Sequence, residues 1–140
     1  MKKVFIDTGA WYTLKNTKDA YHQEVVDFFA GLNGQIICFT SDYVADEAIT
    51  LVRARLKNHR LAAELAEELF ACKAAKMILV SPEHHARALE IFTKYSDQDF
   101  SYTDCTSFTI MESLKIKEAL AFDRHFTFEK FGFKQIRFSK

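Results

Sequence analysis

The chain is poor in residues that turn or break a backbone: 4 Gly and 1 Pro in 140 residues. That is too few for a β-sandwich or barrel, whose many short strands need many turns. No apolar stretch approaches the ~18 residues of a membrane span; runs such as Ala119–Phe122 are short. The apolar start Val4-Phe5-Ile6 closes on Asp7 after three residues, so it reads as a strand and not as a secretory core. Cys38, Cys72 and Cys105 are odd in number, and none stands at Cys-x-x-Cys spacing to another ligand. This argues against structural zinc and points to three small buried thiols in a reducing cytoplasm. No Gly-x-Gly-x-x-Gly occurs, which removes dinucleotide binding. An excess of one charge is also missing, with 19 basic and 19 acidic residues. Such a chain has no global positive field and can meet a polyanion only through local basic patches or bound metal ions.

What is present is apolar and aromatic: 49% hydrophobic residues, 14 of the chain's residues being Phe. A single domain over residues 1–140, burying about two-thirds of its unfolded surface, follows from that length and composition. Short apolar runs at Lys3–Ile6, Gln35–Phe39, Met77–Val80, Ala119–Phe122 and Gln135–Phe138 read as strands. Helical patterns occupy Ala20–Leu32, Asp42–Lys57, Arg60–Ala74, Pro82–Lys94 and Asp104–Leu114. Strands that are continuously apolar and alternate with helices imply crossover units and a mostly parallel sheet covered on both faces. Ser41 before Asp42, Ser81-Pro82-Glu83 and Thr103 before Asp104 supply helix starts.

In a parallel sheet, chemistry gathers beyond the carboxyl ends of the strands. Asp7 directly follows Val4-Phe5-Ile6, and Asp123 directly follows Ala119-Leu120-Ala121-Phe122. Either alone could cap the next helix. Glu47 borders the face that Val44, Ala48, Leu51 and Val52 turn to the core, and Asp104 stands one turn before Phe108. Asp42 and Asp46 read as partners of the helix dipole. Four carboxylates gathered at about 5 Å would repel by roughly 3 kcal/mol per pair at an effective dielectric of about 20. The strand-end positions offer no Lys or Arg to offset this. A hard divalent cation is the other remedy, and an all-oxygen donor set selects Mg²⁺ or Mn²⁺ over zinc. Metals so held support in-line displacement at phosphorus.

These stretches together resemble PIN-domain nucleases. Phe5-Ile6-Asp7-Thr8-Gly9-Ala10-Trp11 is similar to that family's opening strand and first acid, and Thr40 to Glu47 to its second-acid helix. Ser101-Tyr102-Thr103-Asp104-Cys105 is similar to its third motif, and Ala121 to Phe126 to its fourth, with Gly132-Phe133 before a closing strand. Asn16, Asp19 and His22 also look like the family. The resemblance implies a three-layer α/β/α fold with a five-stranded parallel sheet of order 3-2-1-4-5. It implies Mg²⁺- or Mn²⁺-dependent endoribonuclease activity leaving a 5′-phosphate and a 3′-hydroxyl. Asp7, Glu47, Asp104 and Asp123 would be the metal-binding and catalytic acids, with Thr8 and Thr103 as supporting hydroxyls. Chains of this size resemble the toxin half of VapBC-type toxin–antitoxin pairs, so a homodimer and a small antitoxin partner are implied as well.

Other features read more plainly. Asp99 fits a solvated loop, with an outer acid of the site as its alternative. His125 fits a partly buried polar residue, with a phosphate contact as its alternative. Trp11 and Tyr12 fit packing against the next helix better than base stacking. His84 and His85 point different ways on a helix and form no metal site. The basic run from Arg53 to Arg60 ends a helix, where cations suit the dipole, and it could also grip RNA phosphates or an acidic antitoxin. A rival reading is a PIN module that binds RNA or protein without cutting, which the complete acid set disfavours. Receiver and aspartyl-phosphatase domains are disfavoured because Asp7-Thr8-Gly9 lacks their second Asp.

Overall fold

The computed structural model describes residues 1–138. Its elements, in chain order, are β1 (Lys2–Ile6), α1 (Thr8–Lys15), α2 (His22–Ala30), β2 (Ile36–Ser41), α3 (Asp42–Arg55) and α4 (His59–Phe70). There follow β3 (Lys76–Ile78), α5 (Pro82–Lys94), α6 (Tyr102–Leu114), β4 (Glu118–Leu120), two short 3₁₀ turns at Arg124–Thr127 and Glu129–Phe131, and β5 (Lys134–Gln135). The five strands form one sheet in the order β3-β2-β1-β4-β5, and every pairing is parallel. Among the described residues, no helix is long and apolar enough to cross a membrane.

Strand β1 lies at the centre, and the chain runs outward from it to β2 and β3 on one side and to β4 and β5 on the other. The β1/β4 boundary is therefore the topological switch point, where an open parallel sheet leaves a crevice. Val4, Phe5 and Ile6 on β1 and Ala119 and Leu120 on β4 are fully buried, as strands covered on both faces must be.

Helix α1 was not visible in the sequence pattern, and its physical reason is local. Thr8-Gly9-Ala10-Trp11-Tyr12-Thr13 combines Gly, β-branched and aromatic residues, all weak helix formers. Tertiary contacts hold it instead. Trp11 is buried, stacks on Phe29 of α2 with ring centres 5.2 Å apart, and donates its indole N–H to Thr40 Oγ1 at 3.1 Å. Thr40 in turn donates to the Ile6 carbonyl at 3.0 Å. Trp11 is thus a packing residue. Asn16, Asp19 and His22 form the turn from α1 into α2. Asn16 accepts from the Lys18 N–H and Asp19 from the Tyr21 N–H, and His22 Nδ1 meets the Thr13 carbonyl at 2.9 Å.

Several boundaries differ from the expectation, β5 among them at Lys134–Gln135 instead of Gln135–Phe138, and two bear on the site. Helix α6 starts at Tyr102, capped by Ser101 and not by Thr103. Strand β4 stops at Leu120, so Phe122 leaves the sheet and is 40% exposed. Cys38 and Cys105 are buried, but Cys72 is exposed, because α4 ends at Phe70 and Cys72 sits in the turn beyond it at φ 55°.

The Phe-rich composition has a definite place. Phe100, Phe108, Phe126, Phe131 and Phe133 form a chain of ring contacts, including Phe100–Phe108 at 5.1 Å, Phe108–Phe126 at 5.2 Å and Phe131–Phe133 at 5.6 Å. This cluster anchors the irregular segment after β4 to α6. It supplies through side chains the rigidity that a two-residue β5 cannot supply through backbone pairing.

Candidate active site

Asp7, Glu47, Asp104 and Asp123, which lie on four separate stretches of chain, line one cavity of about 390 Å³ at the switch point. Asp7 is delivered by the end of β1, where its N–H donates to the Leu120 carbonyl at 3.1 Å. Its side chain is 4% exposed, and its Oδ1 has no hydrogen-bond partner. Burial, opposed by a hydrogen bond from the Thr8 N–H and reinforced by the charges of Asp104, Glu47 and Asp123, pushes this carboxyl up to about 8.

Glu47 is carried on α3, whose Val44, Ala48 and Val52 are fully buried; it borders that face, as its spacing indicated. It accepts a hydrogen bond from Thr8 Oγ1 at 2.5 Å, so the hydroxyl next to the first acid orients the second. Asp104 sits in a reciprocal capping box: its N–H donates to Ser101 Oγ and its Oδ2 accepts from the Ser101 N–H, both at 3.0 Å. Burial raises the Asp104 carboxyl above its ordinary value, with Asp123 adding to the effect and the Ser101 and His125 contacts opposing it. Asp123 caps the first 3₁₀ turn through the His125 N–H at 2.9 Å, and Gln135 of β5 donates to its carbonyl at 2.5 Å. Capping and site-building are here the same act. Thr103 does not line the cavity; its carbonyl accepts from Thr106, and the hydroxyls beside the acids belong to Thr8 and Ser101.

His125 and Asp99, read from the sequence as a polar residue and a loop residue, belong to the cluster. His125 Nδ1 lies 2.8 Å from Asp104 Oδ2 and 2.9 Å from Asp123 Oδ1, and Nε2 lies 2.6 Å from Asp99 Oδ1. Both ring nitrogens face carboxylate oxygens, and only an imidazolium donates from both. Burial works against that charge, but the hydrogen bond to Asp99 and the charges of Asp104 and Asp123 outweigh it and hold His125 above its usual value. The Phe100 ring, edge-on at 5.3 Å, fixes the imidazole plane. A weak sequence signal existed, since Asp99 and His125 fall just before and just after two of the acids. Among the described residues, no Lys or Arg forms an ion pair with the four acids; Arg124 pairs with Asp99 at 3.6 Å.

The donor set fits a hard divalent cation. Asp104, Asp123 and His125 bring ligand atoms within 4.8 Å of one another, and Asp7 and Glu47 line the same cavity. The Asp7 oxygen is buried without a partner, and burial above all, with the neighbouring charges, raises its carboxyl. The thiols do not compete, because burial keeps Cys38 at about 11, and burial together with Asp104 keeps Cys105 at about 12. At the rim, the Arg55 guanidinium lies over the Tyr12 ring at 5.9 Å.

Comparison with known proteins identifies the family and the fold. Residues 4–134 match the PIN domain. The chain is 30% identical over 134 residues to the 23S rRNA-specific endonuclease VapC20 of Mycobacterium tuberculosis, covering 96% of this chain and 98% of that protein. It is 31% identical over 133 residues to a VapC ribonuclease of Archaeoglobus fulgidus, covering 91% of this chain and 81% of that one. The crystal structure of VapC20, described as a sarcin–ricin loop cleaving toxin, superposes with a TM-score of 0.83 at 28% identity over 96% of this chain and 98% of that one. FitAcB from Neisseria gonorrhoeae shares the fold, with a TM-score of 0.69 at 14% identity over 96% of each chain.

Proposed function

The chain belongs to the PIN-domain family, and from that premise we propose that it is a Mg²⁺- or Mn²⁺-dependent endoribonuclease, the toxin of a toxin–antitoxin pair. It hydrolyses RNA phosphodiester bonds to a 5′-phosphate and a 3′-hydroxyl. One observation carries the reading: a buried, unpartnered Asp7 oxygen in a single cleft lined by three further carboxylates. Beyond the hydrogen bond from the Thr8 N–H, the Asp7 charge is opposed by the fold, and removing it would relieve repulsion.

Asp7, Glu47, Asp104 and Asp123 would hold the metal. When bound, a hard cation neutralises the cluster and acts as a Lewis acid toward a phosphoryl oxygen. The protein's share is preorganisation. Thr8 fixes the Glu47 carboxylate, and the Ser101 capping box and His125 fix that of Asp104. Gln135 and the 3₁₀ turn fix Asp123. His125, engaged through both nitrogens, is a positioning residue. Arg55 and Tyr12 at the rim give a net-neutral protein a local cationic and aromatic contact for the RNA backbone.

The deciding experiment is cleavage of single-stranded RNA by purified protein with Mn²⁺, followed by excess chelator and then by readdition of Mn²⁺. Cleavage should vanish and return, with 5′-phosphate ends. Cutting that persists in chelator would refute metal dependence. A finer test concerns orientation. Thr8→Val should lower kcat about 10- to 100-fold, the usual cost of losing a group that orients a metal ligand, with little change in melting temperature. Unchanged kcat would remove Thr8 from the machinery.

A homodimer and a small antitoxin belong to the same reading. Exposed Leu89 and Phe92 on α5, 55% and 45% accessible, offer apolar surface that association would cover.

A further inference from the structure

A second and larger cavity, about 590 Å³, opens beside the acidic one. The two share Gly9, Tyr12 and Arg55 as a common wall. Its character is different. Three rings meet there: Tyr21 lies 5.5 Å from Phe122 and 6.3 Å from Phe138, and Phe122 lies 6.3 Å from Phe138. Two arginines, Arg55 and Arg137, line it with them. Its carboxylate, Asp19, is turned back to the Tyr21 N–H at 2.8 Å. Phe122 stands immediately before Asp123, and Gly9 two residues after Asp7, so the cavity is built by the continuations of the same segments that deliver two of the acids.

We propose that this cavity is a base-stacking subsite that takes the unpaired nucleotide adjoining the scissile phosphate of a single-stranded RNA. The inference rests on the nuclease reading above and adds the residues that hold a base beside the cut. Phe122 is 40% exposed and lines the cavity, so part of its ring stays open to a stacking partner. Bases do so irrespective of sequence, since each has a π-face. The arginines at the same cavity match the phosphates that flank such a base. They also answer the charge problem: a chain with 19 cations and 19 anions has no global field for RNA but concentrates two cations where the strand must pass. The volume lies within the roughly 300–1,000 Å³ usual for small-ligand sites. A paired base is stacked within its own helix and cannot enter, so the site selects loops, bulges and single strands. A peptide occupant would not require continuity with the acidic cleft, whereas an RNA strand crossing the scissile position does.

The test uses wild type, Phe122→Ala, Phe122→Trp and Arg137→Gln on one single-stranded oligoribonucleotide and on the same strand in a duplex, with Mn²⁺. Phe122→Ala should raise KM about 5- to 30-fold, as expected for loss of a stacking ring, and leave kcat nearly unchanged. Phe122→Trp should restore KM. Arg137→Gln should raise KM and flatten its dependence on salt by about one phosphate contact. The duplex should be a poor substrate for all four. In Ca²⁺, 2-aminopurine beside the cut position should be quenched by wild type and not by Phe122→Ala. Wild-type KM and wild-type quenching in folded Phe122→Ala and Arg137→Gln would overturn the subsite while leaving the nuclease intact. The same holds if these variants lose only affinity for a protein partner. Should Phe122→Ala fail to fold, the Trp and Arg137 variants decide. A wild type that neither binds nor cuts RNA would overturn both readings.

Discussion

Asp7→Asn is expected to yield a protein that no longer cuts RNA and yet, free of metal at pH 8, melts higher than wild type. The two effects have one cause. Asn keeps the size of Asp and can still accept the Thr8 N–H, but it carries no charge into a site where burial and three neighbouring acids push the carboxyl up to about 8. Removing a charge that the fold opposes stabilises. A gain of about 1–3 kcal/mol is a discounted reading of that shift, which for a chain of this size raises the melting temperature by roughly 3–10 °C. Removing a metal-binding oxygen from the reacting centre should cost about 10²–10³-fold in kcat, the loss usual for one preorganised electrostatic group. Calorimetry and a gel-based cleavage assay on the same preparation check both halves. Preserved cleavage would sink the assignment of Asp7. Lost cleavage with a lower melting temperature would mean that Asp7 is structural. The rival reading, a module that binds RNA without cutting, predicts the stability gain but no activity in wild type to lose.

The second large effect is a pH-dependent stability that metal reverses. The folded Asp7 carboxyl lies at about 8 against an ordinary 3.8, so the folded state holds this proton more tightly than the unfolded chain does. Stability from this group is complete below about pH 4 and is lost as pH rises from there through about 8, with a slope approaching 1.4 kcal/mol per pH unit for one proton. Asp104, raised in the same direction, adds to the trend. Metal-free wild type should therefore unfold at progressively lower temperature between pH 5 and pH 8, and Asp7→Asn should flatten most of that decline. Mn²⁺ displaces the proton and binds only the folded site, contributing about 2.7 kcal/mol at a hundredfold excess over its Kd. Its stabilisation should be larger at pH 8 than at pH 5, where protons compete. A Mn²⁺-induced shift that is equal at both pH values would show that the ion binds elsewhere.

Legibility in the sequence followed how local each cause was. Asp7 and Asp123 were readable because each follows a continuous apolar run, and in a parallel sheet the residue after such a run stands at the site edge. Glu47 was readable from its helical spacing, three residues after Val44 and four before Leu51. Asp99 and His125 were not, because their bond joins a loop before α6 to a turn after β4, and no periodicity relates the two. Thr103 was chosen as cap and supporting hydroxyl from its place beside Asp104. The helix begins one residue earlier, which hands the capping role to Ser101. Helix α1 escaped because its residues are weak helix formers held by Trp11, Thr40 and Phe29 from other elements.

The pattern of short apolar runs and longer helices, with an acid closing two of those runs, was enough to determine a parallel sheet flanked by helices and a crowded group of carboxylates, since strand burial and side-chain spacing are properties of neighbouring residues. Which side chains steady those acids, which hydroxyls face them, and that a ring-lined cavity adjoins them were decided only by the folded chain. Those facts depend on distances between segments far apart in sequence, and such distances exist only once the sheet order and the Phe-rich packing have brought the segments together.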